Sequence, residues 1–98
     1  MEPHGAYRAL IPGEADRTMV HVLLFATLAD VAGEQRLQLE LPSGTTMQQV
    51  WDLLLTRYPR LAGHSGKLLR SVNGVFAASD RPVNDGDEVA FFPPVSGG

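Results

Sequence analysis

The sequence predicts a two-layer α+β domain, with one main helix packed on one face of a mixed β-sheet. Three observations carry that expectation. A single window, Thr46 to Tyr58, sustains helical spacing of apolar residues. Short apolar or alternating runs lie on both sides of it, separated by clusters of Gly, Pro, Asn and Asp. The chain has 98 residues, 44% hydrophobic and 19% charged, which supports one core and not two.

Met1 to Thr18 holds two Pro, two Gly and mixed charge without an apolar period, so residues 1–18 read as a flexible extension and the domain is expected to start at Met19. An expression remnant, an upstream start and a native extension all remain open for that arm. Met19 to Ala26 is β-branched and apolar on both faces, as in a central strand. Thr27 to Gly33 suits a connecting turn or a short helical turn closed by glycine. Arg36 to Leu41 alternates, placing Leu37, Leu39 and Leu41 on one face, and Pro42-Ser43-Gly44 stops the strand. Thr46 followed by Gln49 forms a capping-box pattern, Met47, Val50, Trp51, Leu54 and Tyr58 make the helix stripe, and Pro59 ends it. Lys67 to Val72 and Val75 to Ala78 flank Asn73-Gly74, a tight hairpin turn. Asp80 to Asp87 is turn chemistry, and Glu88 to Phe92 is a last strand ended by Pro93-Pro94. The first and last strands should lie side by side, parallel and central, because both are apolar on two faces.

Eight Lys plus Arg against eleven Asp plus Glu give a net charge of −3 and a pI near 5.4, so no basic surface for nucleic acid is expected. Zero cysteines exclude disulfides, thiolate nucleophiles and Cys-ligated metals, and they fit a reducing cytoplasm. The longest apolar run, Val22 to Ala26, is far below the roughly 20 residues that span a bilayer, so a cytoplasmic protein with no membrane partner is expected. His4, His21 and His64 lack ligand spacing, and Asp85, Asp87 and Glu88 sit on a Gly86 turn without the oxygen density of a calcium loop, so no metal is assigned. Trp51 falls on the helix stripe and reads as core. Neither a phosphate-binding glycine loop nor a nucleophile triad occurs, so catalysis by this chain alone is not expected.

The informative segment is Phe91-Phe92-Pro93-Pro94-Val95-Ser96-Gly97-Gly98. A proline pair favours extended polyproline geometry, and six extended residues reach at most about 20 Å, enough to enter a neighbour's cleft. Gly97-Gly98 would pass a channel that rejects any Cβ, leaving the terminal carboxylate as the candidate reactive group. Alternation also sends Phe91 and Phe92 to opposite sheet faces, so at least one of them, together with Phe25, should face outward.

On these residues, and on Gly66-Lys67-Leu68-Leu69, Val72-Asn73, Asp85 to Val95 and Val22 to Ala26, the stretch from Met19 to Gly98 resembles the molybdopterin synthase small subunits, ubiquitin-like sulfur carriers. The arm and Ala29 depart from that pattern. The resemblance implies a β-grasp fold with a mixed sheet, a domain over 19–92 and an extended tail over 93–98. It implies that an E1-like adenylyltransferase uses ATP to adenylate Gly98 beside Gly97, with no cofactor held tightly by the carrier. A persulfide sulfur then displaces AMP, giving a thiocarboxylate that donates sulfur to a cyclic pyranopterin phosphate. It further implies that Phe25, Phe92, Pro93, Pro94, Val95 and Ser96 meet a large subunit, in a heterotetramer of two copies of each chain. Two other classes stand beside it: a carrier for thiazole or cysteine synthesis, and a ubiquitin-like protein modifier, for which Lys67 is the single lysine available to self-conjugation.

Overall fold

Residues 17–94 are described by a computed structural model. The arm up to residue 16, and Val95, Ser96, Gly97 and Gly98, lie outside the described residues. Five strands form one mixed sheet: β1 (Arg17–Leu24), β2 (Arg36–Pro42), β3 (Leu69–Val72), β4 (Val75–Phe76) and β5 (Glu88–Phe92), in the order β2-β1-β5-β3-β4. β1 runs antiparallel to β2 and parallel to β5, with Leu24 opposite Phe91. The expected parallel pairing of the first and last strands is therefore present, with β5 at the sheet's centre. Two helices, α1 (Thr27–Ala32) and α2 (Met47–Arg57), and a 3-10 turn, Pro59–His64, complete the chain.

α2 starts where its cap dictates. The Thr46 hydroxyl accepts from Gln49 N at 3.2 Å, and the Gln49 side chain accepts from Thr46 N at 2.9 Å, so two otherwise orphaned amides are satisfied reciprocally. Four of the five expected stripe residues are buried: Met47, Val50, Trp51 and Leu54 pack on Val20, Val22, Leu24, Leu39, Leu41 and Phe91 from the sheet, whereas Tyr58, the C-cap residue, is half-buried at the edge of the core. Trp51 and Phe91 sit at the centre, with ring centroids 5.2 Å apart, and the indole Nε1 donates to Ser65 Oγ at 2.9 Å. A buried indole N–H thus has the partner it needs.

Five expectations change. The first strand begins at Arg17, not Met19, because Arg17 pairs with Pro42 and Thr18 is buried on the core face; polar side chains disguised a backbone that continues its ladder. It also ends at Leu24, since Ala26 adopts φ 53° and turns the chain into α1. Nor is β1 buried on two faces. Its inward residues are Thr18, Val20, Val22 and Leu24, whereas Met19, His21 and Leu23 are exposed or half-buried, because the helix covers only one side of the sheet. β3 and β4 are shorter than expected, starting at Leu69 and ending at Phe76. Finally, Pro59 ends α2 but opens the 3-10 turn that buries Leu61, which helical periodicity does not register.

Candidate functional site

The strand alternation of β5 sends Phe91 into the core and leaves Phe92 half-buried on the opposite, uncovered face. The sheet register then decides what surrounds Phe92. β3 places Leu69 opposite it, and Leu69 is partly exposed. The parallel ladder with β1 runs one residue beyond that strand, because Phe25 N donates to Phe91 O at 3.3 Å. Phe25 is thereby held beside β5, and its ring stacks on Phe92 with centroids 4.7 Å apart and planes within 6°. The next residue carries the strain of the turn: Ala26 has φ 53° and ψ −128°, and its carbonyl accepts from Ala29 N and Asp30 N at 3.1 and 3.2 Å.

A third ring arrives from the hairpin. Asn73 and Gly74 have φ values of 52° and 85°, the two positive angles of a tight two-residue turn, so Ser71 pairs with Phe76. Ser71 also faces Ala90, which places Phe76 on the uncovered face, 6.4 Å from Phe92 and nearly edge-on. Phe76 is 74% exposed and Phe25 41%. Phe92 is therefore the middle of three rings drawn from three separate segments.

Sequence reasoning identifies Phe25 and Phe92 and misses Phe76. The signal was present: once Asn73-Gly74 sets the turn, counting two residues outward on each side pairs Phe76 with Ser71. Pro93 is half-buried and Pro94 exposed, so the chain leaves the sheet directly beside the rings. Beyond Phe25, a cleft of about 490 Å³ opens between the end of β1, α1 and the start of β2, with Leu23, Ala29 and Arg36 on its walls. Arg36 reaches across the open face to Glu88, at 3.3 Å in an exposed ion pair worth little on its own.

Such an arrangement can bind but has nothing with which to move a proton or attack a carbonyl at its centre. Three aromatic rings, Leu69 and Pro93 form a contiguous apolar surface of the kind that marks an interaction site. The described residues contain no group of three His, Cys, Asp or Glu side chains able to hold a metal ion, and no helix long and apolar enough to cross a membrane.

Residues 22–98 match the model of the ThiS family. The molybdopterin synthase sulfur carrier subunit of Escherichia coli K12 is 39% identical over 82 residues, covering 82% of this chain and all of that protein. Small archaeal modifier protein 1 of Haloferax volcanii is 37% identical over 83 residues, covering 76% of this chain and 95% of its own. A crystal structure of the Haloferax volcanii modifier superposes with a TM-score of 0.73 and 32% identity, over 82% of this chain and 99% of that one. The architecture is accordingly a ubiquitin-like β-grasp.

Proposed function

This chain belongs to the ThiS family, and we propose that it is the sulfur carrier subunit of a molybdopterin synthase. The observation that carries the proposal is the exposed ring cluster Phe25–Phe92–Phe76, set where the Pro93-Pro94 segment leaves the sheet. A reactive tail needs a surface that seats the carrier and aims the tail, and this surface is contiguous with the tail's root.

In this account Phe25, Phe76, Phe92 and Pro93 dock on the large subunit, while Pro94, Val95 and Ser96 thread Gly97 and Gly98 into its cleft. Each large subunit of a dimer takes one carrier. The preceding cycle belongs to an E1-like enzyme. Its ATP converts the Gly98 carboxylate, a poor electrophile, into an acyl adenylate; a persulfide sulfur displaces AMP to form an acyl disulfide, and a second thiol cleaves its S–S bond, forming a disulfide with the donor and leaving the thiocarboxylate. ATP acts there and is not retained by the carrier, whose cycle runs in the cytoplasm. The thiocarboxylate donates sulfur to a cyclic pyranopterin phosphate, and two deliveries build the dithiolene. Holding the sulfur beside its target replaces a bimolecular encounter, an advantage of several kcal/mol. A stiff proline pair lowers the ordering cost of threading.

Calorimetric titration with the large subunit tests the docking half of this reading. Phe76→Ala and Phe25→Ala should each weaken binding, and unchanged affinity in both would place the interface elsewhere. The 37% identity to the archaeal modifier favours one second reading, transfer of Gly98 to protein lysines. It predicts a ladder of conjugates in extracts that disappears when Gly98 is deleted.

A further inference from the structure

Asn73-Gly74 closes the β3–β4 hairpin, yet its chemistry goes further. Asparagine before glycine is the dipeptide most open to self-cleavage of its side-chain amide, because no Cβ shields the following backbone nitrogen. In that reaction Gly74 N bonds to Asn73 Cγ, the Cγ–Nδ2 bond breaks, and ammonia leaves with the proton lost from Gly74 N. Water then opens the succinimide to aspartate or isoaspartate. The net change is water in and ammonia out, with no other reactant.

The fold ties down every part of that amide. Asn73 Nδ2 donates to Asp87 Oδ1 at 3.0 Å, and Asn73 Oδ1 accepts from Glu88 N at 2.9 Å. The backbone is held as well, since Asn73 N donates to Glu88 O at 2.7 Å. Asp87 is itself fixed: it is 8% exposed, its Oδ2 accepts from Asn84 N at 2.8 Å, and the Arg81 guanidinium lies 3.9 Å away. Swinging Cγ over Gly74 N requires breaking both side-chain hydrogen bonds at once.

We propose that Asn73 is a spontaneous deamidation site held dormant by the Asp87–Glu88 clamp, and that its conversion unlocks the hairpin that presents Phe76. The product carboxylate would replace a donor with a like charge about 3 Å from Asp87 Oδ1, a pairing that two ionised groups resist. Damage that passes the clamp would thus remove the clamp.

Incubating the full chain in mildly alkaline buffer, with peptide mapping by mass, tests this, since Asn73 and Asn84 are the only asparagines. Two side-chain hydrogen bonds correspond to at least roughly tenfold slower conversion of Asn73 in the folded chain than in the same chain unfolded by urea. Asp87→Ala removes one of the two bonds and should recover about half of that factor on a logarithmic scale, roughly threefold, in the folded state. Val50→Ala, a core truncation in α2 that lowers stability without touching the clamp, should not. Equal rates in folded and unfolded chain, no effect of Asp87→Ala, or equal acceleration by Val50→Ala would overturn the proposal. So would an Asn73→Asp variant that unfolds at the same urea concentration as the parent.

Discussion

Phe92 is an outward-facing residue that is nonetheless packed. It faces outward from β5 as alternation requires, yet it is half-buried because Phe25 stacks on one side and Phe76 meets the other. Phe92→Ala should therefore weaken docking by at least about 1 to 2 kcal/mol, the range of an aromatic anchor. It should also lower folding stability by about 0.5 to 1.5 kcal/mol or more through the lost ring pairs. Phe76 separates the two effects, because at 74% exposure it has little of its own area to lose on unfolding. Phe76→Ala should leave the chemical denaturation midpoint nearly unchanged, within the roughly 0.5 kcal/mol typical of surface positions, while costing at least about 1 kcal/mol in a calorimetric titration with the large subunit. Equal losses in folding and binding would make Phe76 a core residue in disguise. Phe25 and Phe92 were legible as apolar residues near the tail. Phe76 was not, because only the hairpin register carries it to them.

Among the elements, α2 is the most legible from sequence and the most exposed to test. Its capping box, stripe and end follow from Thr46, Gln49 and Pro59, and each is found in place. Thr46→Ala should cost about 1 kcal/mol in chemical denaturation, as loss of a hydroxyl cap does. Trp51→Ala should cost about 3 to 5 kcal/mol, since the ring is fully buried against Phe91 and its removal also leaves Ser65 Oγ without its donor. A small change would put Trp51 at the surface. β1 shows where local pattern misleads. Its apolar content on both sides suggested burial on both, but Met19, His21 and Leu23 lie on the face that the helix leaves open. Which side a single helix covers is a property of the whole sheet and cannot be read from one strand. The 3-10 turn Pro59–His64 was invisible for a different reason, since one buried residue, Leu61, sets no period.

At the scale of the molecule, strand order and the parallel β1–β5 pair bring Pro93 and Pro94 to the edge of the ring cluster, the arrangement on which the proposed coupling of a docking face to the tail rests. The proposal for the tail's chemistry comes from the sequence alone, from Pro93, Pro94, Gly97 and Gly98, whereas the ring surface beside its root depends on residues distant along the chain. Position is everything for such a tail: removing Gly98, or adding a residue after it, shifts the carboxylate by about 3.3 to 3.6 Å, far outside bonding reach, without touching the sheet. Both variants should fold as the parent does by circular dichroism and fail to carry sulfur. The most direct measurement is the intact mass of the full chain produced together with its E1-like activating enzyme, followed by fragmentation of the C-terminal peptide. One sulfur should replace one oxygen on Gly98, a mass change absent from both tail variants. Sulfur retained in the variant lacking Gly98, or an unmodified Gly98 in the parent beside an active activating enzyme, would contradict a sulfur-carrying role for Gly98.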